Sequence, residues 1–181
     1  MENEKTKITG VDIRIAVSIL LCCITAVALD VLGIKFSFGE MKLEIIQKMT
    51  TCIACLLCCQ DSTKISFKAG INRLIITAIG GGVGLIAVLC DNALQNEWLM
   101  VCLIFAGVLA TLLLCKVAKV PYINARIGGV TFILVSYTLS GPARFVYAIF
   151  RLVSTFYGVF VVLAVTWVWE KIIQKNEVEE A

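Results

Sequence analysis

The sequence predicts an all-α integral membrane protein, with six transmembrane helices built as a 3+3 inverted repeat. Three observations predict it. Of the 181 residues, 60% are apolar and only 16% charged, with a mean hydropathy of +0.94; a soluble domain carries about 45 to 50% and about 25%. The charges punctuate long neutral runs. A motif in the first half recurs in the second at an offset of 78 residues.

The neutral runs place the helices in order. Ile15 to Leu29, Leu74 to Cys90, Trp98 to Cys115, Ile127 to Ala143 and Leu152 to Trp169 hold no Lys, Arg, Asp or Glu. Runs of this length reach about 22 to 27 Å, close to the hydrocarbon thickness once flanking residues are added. A sixth helix over Met49 to Gln60 spans only if Ile45 and Ile46 join it and Lys48 extends its ammonium to the interface; otherwise it is re-entrant or interfacial. The first run follows Lys5, Lys7 and Arg14 as a signal peptide would, but it continues to Ile34 without a small-x-small cleavage site and reads as the first membrane helix. The organisation expected is an N-terminal segment over 1–12, a membrane domain over 13–169 with repeats near 13–89 and 91–169, and a short tail over 170–181.

Counting Lys and Arg along six helices with the amino terminus inside gives eleven on the inner side and five outside. The positive-inside rule then places both termini in the cytoplasm of a multi-pass cell-membrane protein. The connection Asp91 to Glu97, which has no Lys or Arg, faces outward.

Phe67, Ile71, Arg73, Leu74, Thr77, Gly80 and Val83 match Phe145, Ile149, Arg151, Leu152, Thr155, Gly158 and Val161. The motif opens the third and sixth helices, so the unit is three helices long. An odd number inverts the second copy in the membrane, as in many transporter folds. Arg73, Thr77, Gly80 and Gly84 fall on one helix face, and Arg151, Thr155 and Gly158 on its equivalent. Each face offers a cation, a hydroxyl and a bare backbone. Gly80, Gly81, Gly84 and Gly158 are expected to bring helix 3 against helix 6. Arginines inside membrane helices are costly unless they snorkel or face a wet cavity, so Arg73 and Arg151 are expected to form a basic entrance on each side, suited to anions. Two arginines snorkelling to lipid phosphate are the plain alternative.

Ser66-Phe67-Lys68-Ala69-Gly70-Ile71-Asn72-Arg73-Leu74, followed by Thr77, Ile79, Gly80, Gly81 and Gly84, resembles the third helix of the fusaric acid resistance and aromatic acid exporter proteins, which share a membrane fold with the aluminium-activated malate transporters. Cys59-Gln60-Asp61-Ser62 is similar to the family's helix 2 end, and Tyr147 to Thr155 with Gly158 is similar to its sixth helix. Arg14 stands where a basic residue often opens helix 1. The resemblance implies a six-helix domain that works as an oligomer, most simply a homodimer, and moves small organic anions, aromatic or carboxylic. Its pathway would run past Lys68, Asn72, Arg73, Thr77, Arg151 and Thr155. Two departures stand out: longer members carry a cytoplasmic helical domain after helix 6, and Cys59 replaces a methionine.

The remaining polar groups receive narrower roles. Asp61, at the end of helix 2, and Asp30 are the candidates for a proton site, with a solvated interfacial carboxylate as the alternative. Tyr122, Asn124 and Arg126 open helix 5 near the same passage. Cys52, Cys55, Cys58 and Cys59 contain a C-x-x-C spacing, but in an apolar helix they read as small hydrophobes. Trp98, Trp167 and Trp169 suit the interfacial belts. Histidine is absent, which excludes a His-based triad and a His-ligated zinc site. No enzyme, cofactor, metal site or nucleic-acid partner is expected; the partners are the bilayer and the anions. An organic-anion transporter, an anion channel on the same scaffold and a non-transporting membrane subunit are the readings carried forward.

Overall fold

The computed structural model describes residues 9–38, 41–94, 97–138 and 143–179. Six helices account for most of them: α1 (Gly10–Val31), α2 (Lys48–Cys58), α3 (Thr63–Leu94), α4 (Glu97–Val117), α5 (Tyr122–Tyr137) and α6 (Ala143–Glu179). Four contain stretches long and apolar enough to cross a membrane, namely Gly10–Val31, Thr63–Asn92, Met100–Val117 and Arg144–Ile172. The chain is therefore a helical, multi-pass membrane protein. One small departure from an all-α chain is a hairpin between α1 and α2, where β1 (Phe36–Phe38) pairs antiparallel with β2 (Met41–Leu43).

The helix ends follow local chemistry. Thr9 and Asp12 form a reciprocal capping box, so α1 opens at Gly10, three residues before the expected boundary. Gly33, at φ +70°, turns the chain out of α1. Lys119 holds a left-handed φ of 57° and Pro121 follows, a pairing that separates α4 from α5. At the carboxyl end, α6 continues through the stretch expected to be a tail, as far as Glu179.

Helix α2 differs most from expectation. It has 11 residues, about 16 Å of helix, and Ile45 and Ile46 lie outside it. The Gln47 backbone N–H, which would continue the helix backward, instead donates to Ser154 Oγ at 2.8 Å. At 16 residues α5 is also short, about 24 Å.

Helices α3 and α6 run antiparallel through the centre. Glu170 on α6 accepts from the Thr63 backbone N–H at 2.7 Å and from its hydroxyl at 2.6 Å. At the opposite end Arg144 of α6 meets Asp91 of α3 at 3.2 Å. Around this pair, α1 packs on α2 and α6, while α4 packs on α5 and α3; α2 lies on α6 and α5 on α3. Every main contact of the first three helices thus has a counterpart in the last three.

The glycines act at different crossings from those expected. Helices α3 and α6 do touch, but through residues such as Gly70 against Val159. Gly80 and Gly84 instead face α5: a Cβ on Gly80 would strike the Gly128 carbonyl, and one on Gly84 would come within 3.0 Å of Val135. Gly158 faces α2, where a Cβ would lie 2.9 Å from both Ala54 Cβ and the Thr51 carbonyl. Gly81 has nothing within 4 Å of a built Cβ, so it is not a packing glycine. The reason is helical phase: one residue turns the helix by about 100° and takes Gly81 off the crossing face.

These crossings set the first prediction. Gly80→Ala and Gly158→Ala are each expected to destabilise the purified protein by about 1 to 3 kcal/mol, the usual range for overpacking. Gly81→Ala is expected to be neutral or slightly stabilising, since alanine is the better helix former. Thermal unfolding in detergent compares the three.

Candidate functional site: two buried arginines

A neutral run marks where charge stops, not where a helix starts. Helix α3 begins at Thr63, so Arg73 sits about 15 Å inside it; α6 begins at Ala143, so Arg151 sits about 12 Å inside. Because the helices are antiparallel, the contacts Thr63–Glu170 and Gly70–Val159 leave the two arginines about 7 to 14 Å apart along the axis. They flank the middle of the bundle. Both cations thus lie two to three turns inside their helices, further in than the starts of the neutral runs imply.

Both are buried, Arg73 at 3% and Arg151 at 4% exposure. Arg73 lines a cavity of about 20 Å³ with Leu57 and Cys58 of α2 and Asn124 and Ile127 of α5. Its Nε and Nη1 have no hydrogen-bond partner among the described residues. Arg151 lines a larger cavity of about 240 Å³, with Glu44, Gln47, Lys48, Thr50 and Tyr147 as polar neighbours and Met49, Ile53 and Leu134 as apolar ones; the Glu44 carboxylate there is paired with Lys48 at 3.2 Å. Its Nη1 donates to Thr50 Oγ1 at 3.2 Å and to the Tyr147 hydroxyl at 3.5 Å, and its Nε has no partner. Among the described residues no acidic side chain forms an ion pair with either arginine; the ion pairs found join Asp30 to Lys35 and Lys48, Glu44 to Lys48, and Asp91 to Arg144.

The two arginines therefore face the α2 and α5 side of the central pair from both ends. Arg73 meets the end of α2 and the start of α5, and Arg151 meets the start of α2 and the later part of α5. Each has donor capacity left over, which is what a carboxylate or another small anion requires.

Other expected residues divide. Thr77 and Thr155 are buried beside the arginines, but their hydroxyls donate to the Arg73 and Arg151 carbonyls at 2.8 and 2.9 Å. They close their own helix turn and offer an anion no proton. Lys68 is exposed, and five residues of helical rotation carry it off the Arg73 face; Asn72 is half-buried. Asp61 is exposed, and what it contributes is its backbone carbonyl, which accepts from Arg14 Nη1 at 3.2 Å. Asn124 does reach the Arg73 cavity, whereas Arg126 stacks over Tyr122 with Cζ 4.9 Å from the ring centre, both exposed.

Gln47 and Thr50 carry no signal in the sequence, and Tyr147 and Arg14 enter it only through the resemblance. Gln47, Thr50 and Tyr147 build the Arg151 cavity, and Arg14 is a third buried arginine, 5% exposed. Tyr147 had a legible signal, since it precedes Arg151 by one helical turn. The cysteines pack as small hydrophobes: Cys22, Cys55, Cys58 and Cys59 join Val159, Val161 and Val162 in one cluster, with the Cys22 and Cys55 sulfurs 3.5 Å apart.

Comparison with known proteins decides the family. The profile of fusaric acid resistance protein-like sequences matches residues 24–165, which include both deep arginines and the cavity around Arg151. The chain belongs to that family. No curated protein and no solved structure matches it. Membership marks it as a membrane transporter-like protein, since members of the family are transport-related.

A buried cation without a partner carries a thermodynamic signature. Replacing a buried ionic group by an apolar side chain of similar volume is often neutral or stabilising. Arg73→Met is therefore expected to keep or raise the midpoint of thermal unfolding. A fall of many degrees would instead mark Arg73 as a structural residue.

Proposed function

We propose that this protein moves small organic anions, aromatic or carboxylic, across the cell membrane, and that Arg73 and Arg151 bind them in transit. The observation that carries the reading is the pair of deep, unpaired guanidinium groups. Keeping such groups charged inside a bilayer costs several kcal/mol, which selection tolerates where the charge is used. The cavity at Arg151 suits the proposed cargo: a carboxylate end for the guanidinium and Thr50, and apolar walls from Met49, Ile53 and Leu134 for a ring or chain.

The proposed architecture is six crossings from a 3+3 inverted repeat, 13–89 and 91–169 within a domain 13–169. The reciprocal helix contacts support it, as do the matched crossings of Gly80 on α5 and Gly158 on α2. In this reading α2 crosses as a short helix with extended ends, both termini face the cytoplasm, and the working unit is a homo-oligomer, most simply a dimer. An anion channel on the same scaffold is the second reading. It is favoured by the exposure of Asp61 and by the lack, among the described residues, of a carboxylate paired with either arginine, because a proton-coupled exporter needs an embedded titrating group.

Flux into proteoliposomes, normalised to folded protein, tests the proposal. Arg73→Ala and Arg151→Ala are each expected to lower flux of an aromatic carboxylate by about tenfold or more, the usual weight of a charged hydrogen bond. Lysine at either position is expected to restore part of it, since the charge remains while the bidentate fork is lost. Unchanged flux in both alanine variants would take the arginines out of the pathway, and absence of flux in the unsubstituted protein would favour a non-transporting subunit. A flux indifferent to an imposed proton gradient would favour the channel.

A further inference from the structure

The faces of α3 and α6 turned away from Arg73 and Arg151 leave a long furrow between them. Near the chain termini it is lined by Lys64 and Phe67 of α3 and by Phe160, Leu163, Ala164 and Trp167 of α6, enclosing about 480 Å³. Further along the same seam, beyond the close contact of Gly70 with Val159, a second open depression of about 530 Å³ lies between Leu74 and Ala78 of α3 and Leu152, Val153 and Phe156 of α6. From Lys64 to Ala78 is about 21 Å along the helix. That exceeds half of a hydrocarbon core about 30 Å thick, long enough for one acyl chain.

Its charge is confined to one end. Lys64 stands at the mouth, and the Lys171 ammonium lies over the Trp167 ring, 4.4 Å from its centre. The neighbouring carboxylate of Glu170 accepts from the backbone and hydroxyl of Thr63, and among the described residues neither Lys64 nor Lys171 forms an ion pair with it or with another carboxylate. Beyond the mouth the walls named above are hydrocarbon and aromatic rings.

We propose that this furrow holds one phospholipid with an anionic headgroup: the phosphate sits between Lys64 and Lys171, and one acyl chain lies along the α3–α6 seam over Ala164 and Ala78. A negative headgroup meets two cations, and a tail about the length of one leaflet meets an apolar channel slightly longer than that. Zwitterionic lipid matches the channel but places its own cation against the lysines. The bound lipid would cover the back of the two helices that carry the deep arginines, so it would seal the central pair on the side opposite the anion cavity. The assignment stands independently of any transport activity.

The test is photo-crosslinking of the full chain in nanodiscs of equal phosphatidylglycerol and phosphatidylcholine, with p-benzoylphenylalanine in place of Phe160. Intact mass is expected to show one phosphatidylglycerol adduct per chain, favoured over phosphatidylcholine about tenfold or more, since each lysine near a membrane surface adds a several-fold preference for anionic lipid. Lys64→Ala with Lys171→Ala should bring the two lipids to parity, while Lys64→Arg with Lys171→Arg should preserve the preference; size-exclusion elution monitors the fold of each. Equal labelling by the two lipids in the unsubstituted furrow would overturn the proposal. Cross-linking of Phe160's replacement to a second copy of the chain would overturn it as well, by making the furrow a protein interface.

Discussion

A guanidinium group that leaves water must find its hydrogen bonds and its counter-charge elsewhere, and in this protein two of them find very little. Arg73 has two nitrogens without a partner, and Arg151 has one, near the middle of the bundle. The rest of the architecture is shaped around that constraint. The close crossings at Gly80 and Gly158 draw α5 and α2 onto the central helices and exclude lipid from the arginines. The start of α2 at Lys48 brings the Thr50 hydroxyl into reach of Arg151, and Gln47 is tied to α6 by its backbone to Ser154 and by its amide to the Tyr147 carbonyl at 3.2 Å. The antiparallel pair is then pinned at its two ends by Glu170 on Thr63 and by Arg144 on Asp91.

Much of this was legible in the sequence, and the parts that were not have physical reasons. Neutral runs located five helices because charge is excluded from hydrocarbon, and the recurring Arg-x-x-x-Thr-x-x-Gly spacing found both deep arginines. The depth was missed because Ser66, Phe67, Ala69 and Gly70 are uncharged or apolar residues that extend α3 below Arg73, and the corresponding residues from Phe145 to Phe150 do the same for α6. The glycine partners were missed because a sequence identifies a bare helix face without saying which helix lies on it. Gly80 and Gly158 were correctly read as sites of close approach, but their partners are α5 and α2.

Helix α2 shows a second limit. Its apolar composition suggested a crossing, yet the backbone hydrogen bonds go elsewhere at its start, and the segment before it folds into a hairpin whose Phe36 packs edge-on to Phe150 at 5.3 Å. Asp30 gathers Lys35 and Lys48 at that end, at 3.2 and 2.6 Å, and so acts as a counter-ion there. The lysine expected to reach for the membrane surface is held by carboxylates of the protein.

The account rests on an organic anion occupying the space beside Arg151. A structure determined with 4-bromobenzoate tests this most directly, because bromine is located by its own anomalous signal. The account predicts bromine against Met49, Ile53 and Leu134, with the carboxylate on the Arg151 guanidinium. A guanidinium neutralised instead by a lipid phosphate or by a carboxylate of the protein, with no bromine in the cavity, would contradict it.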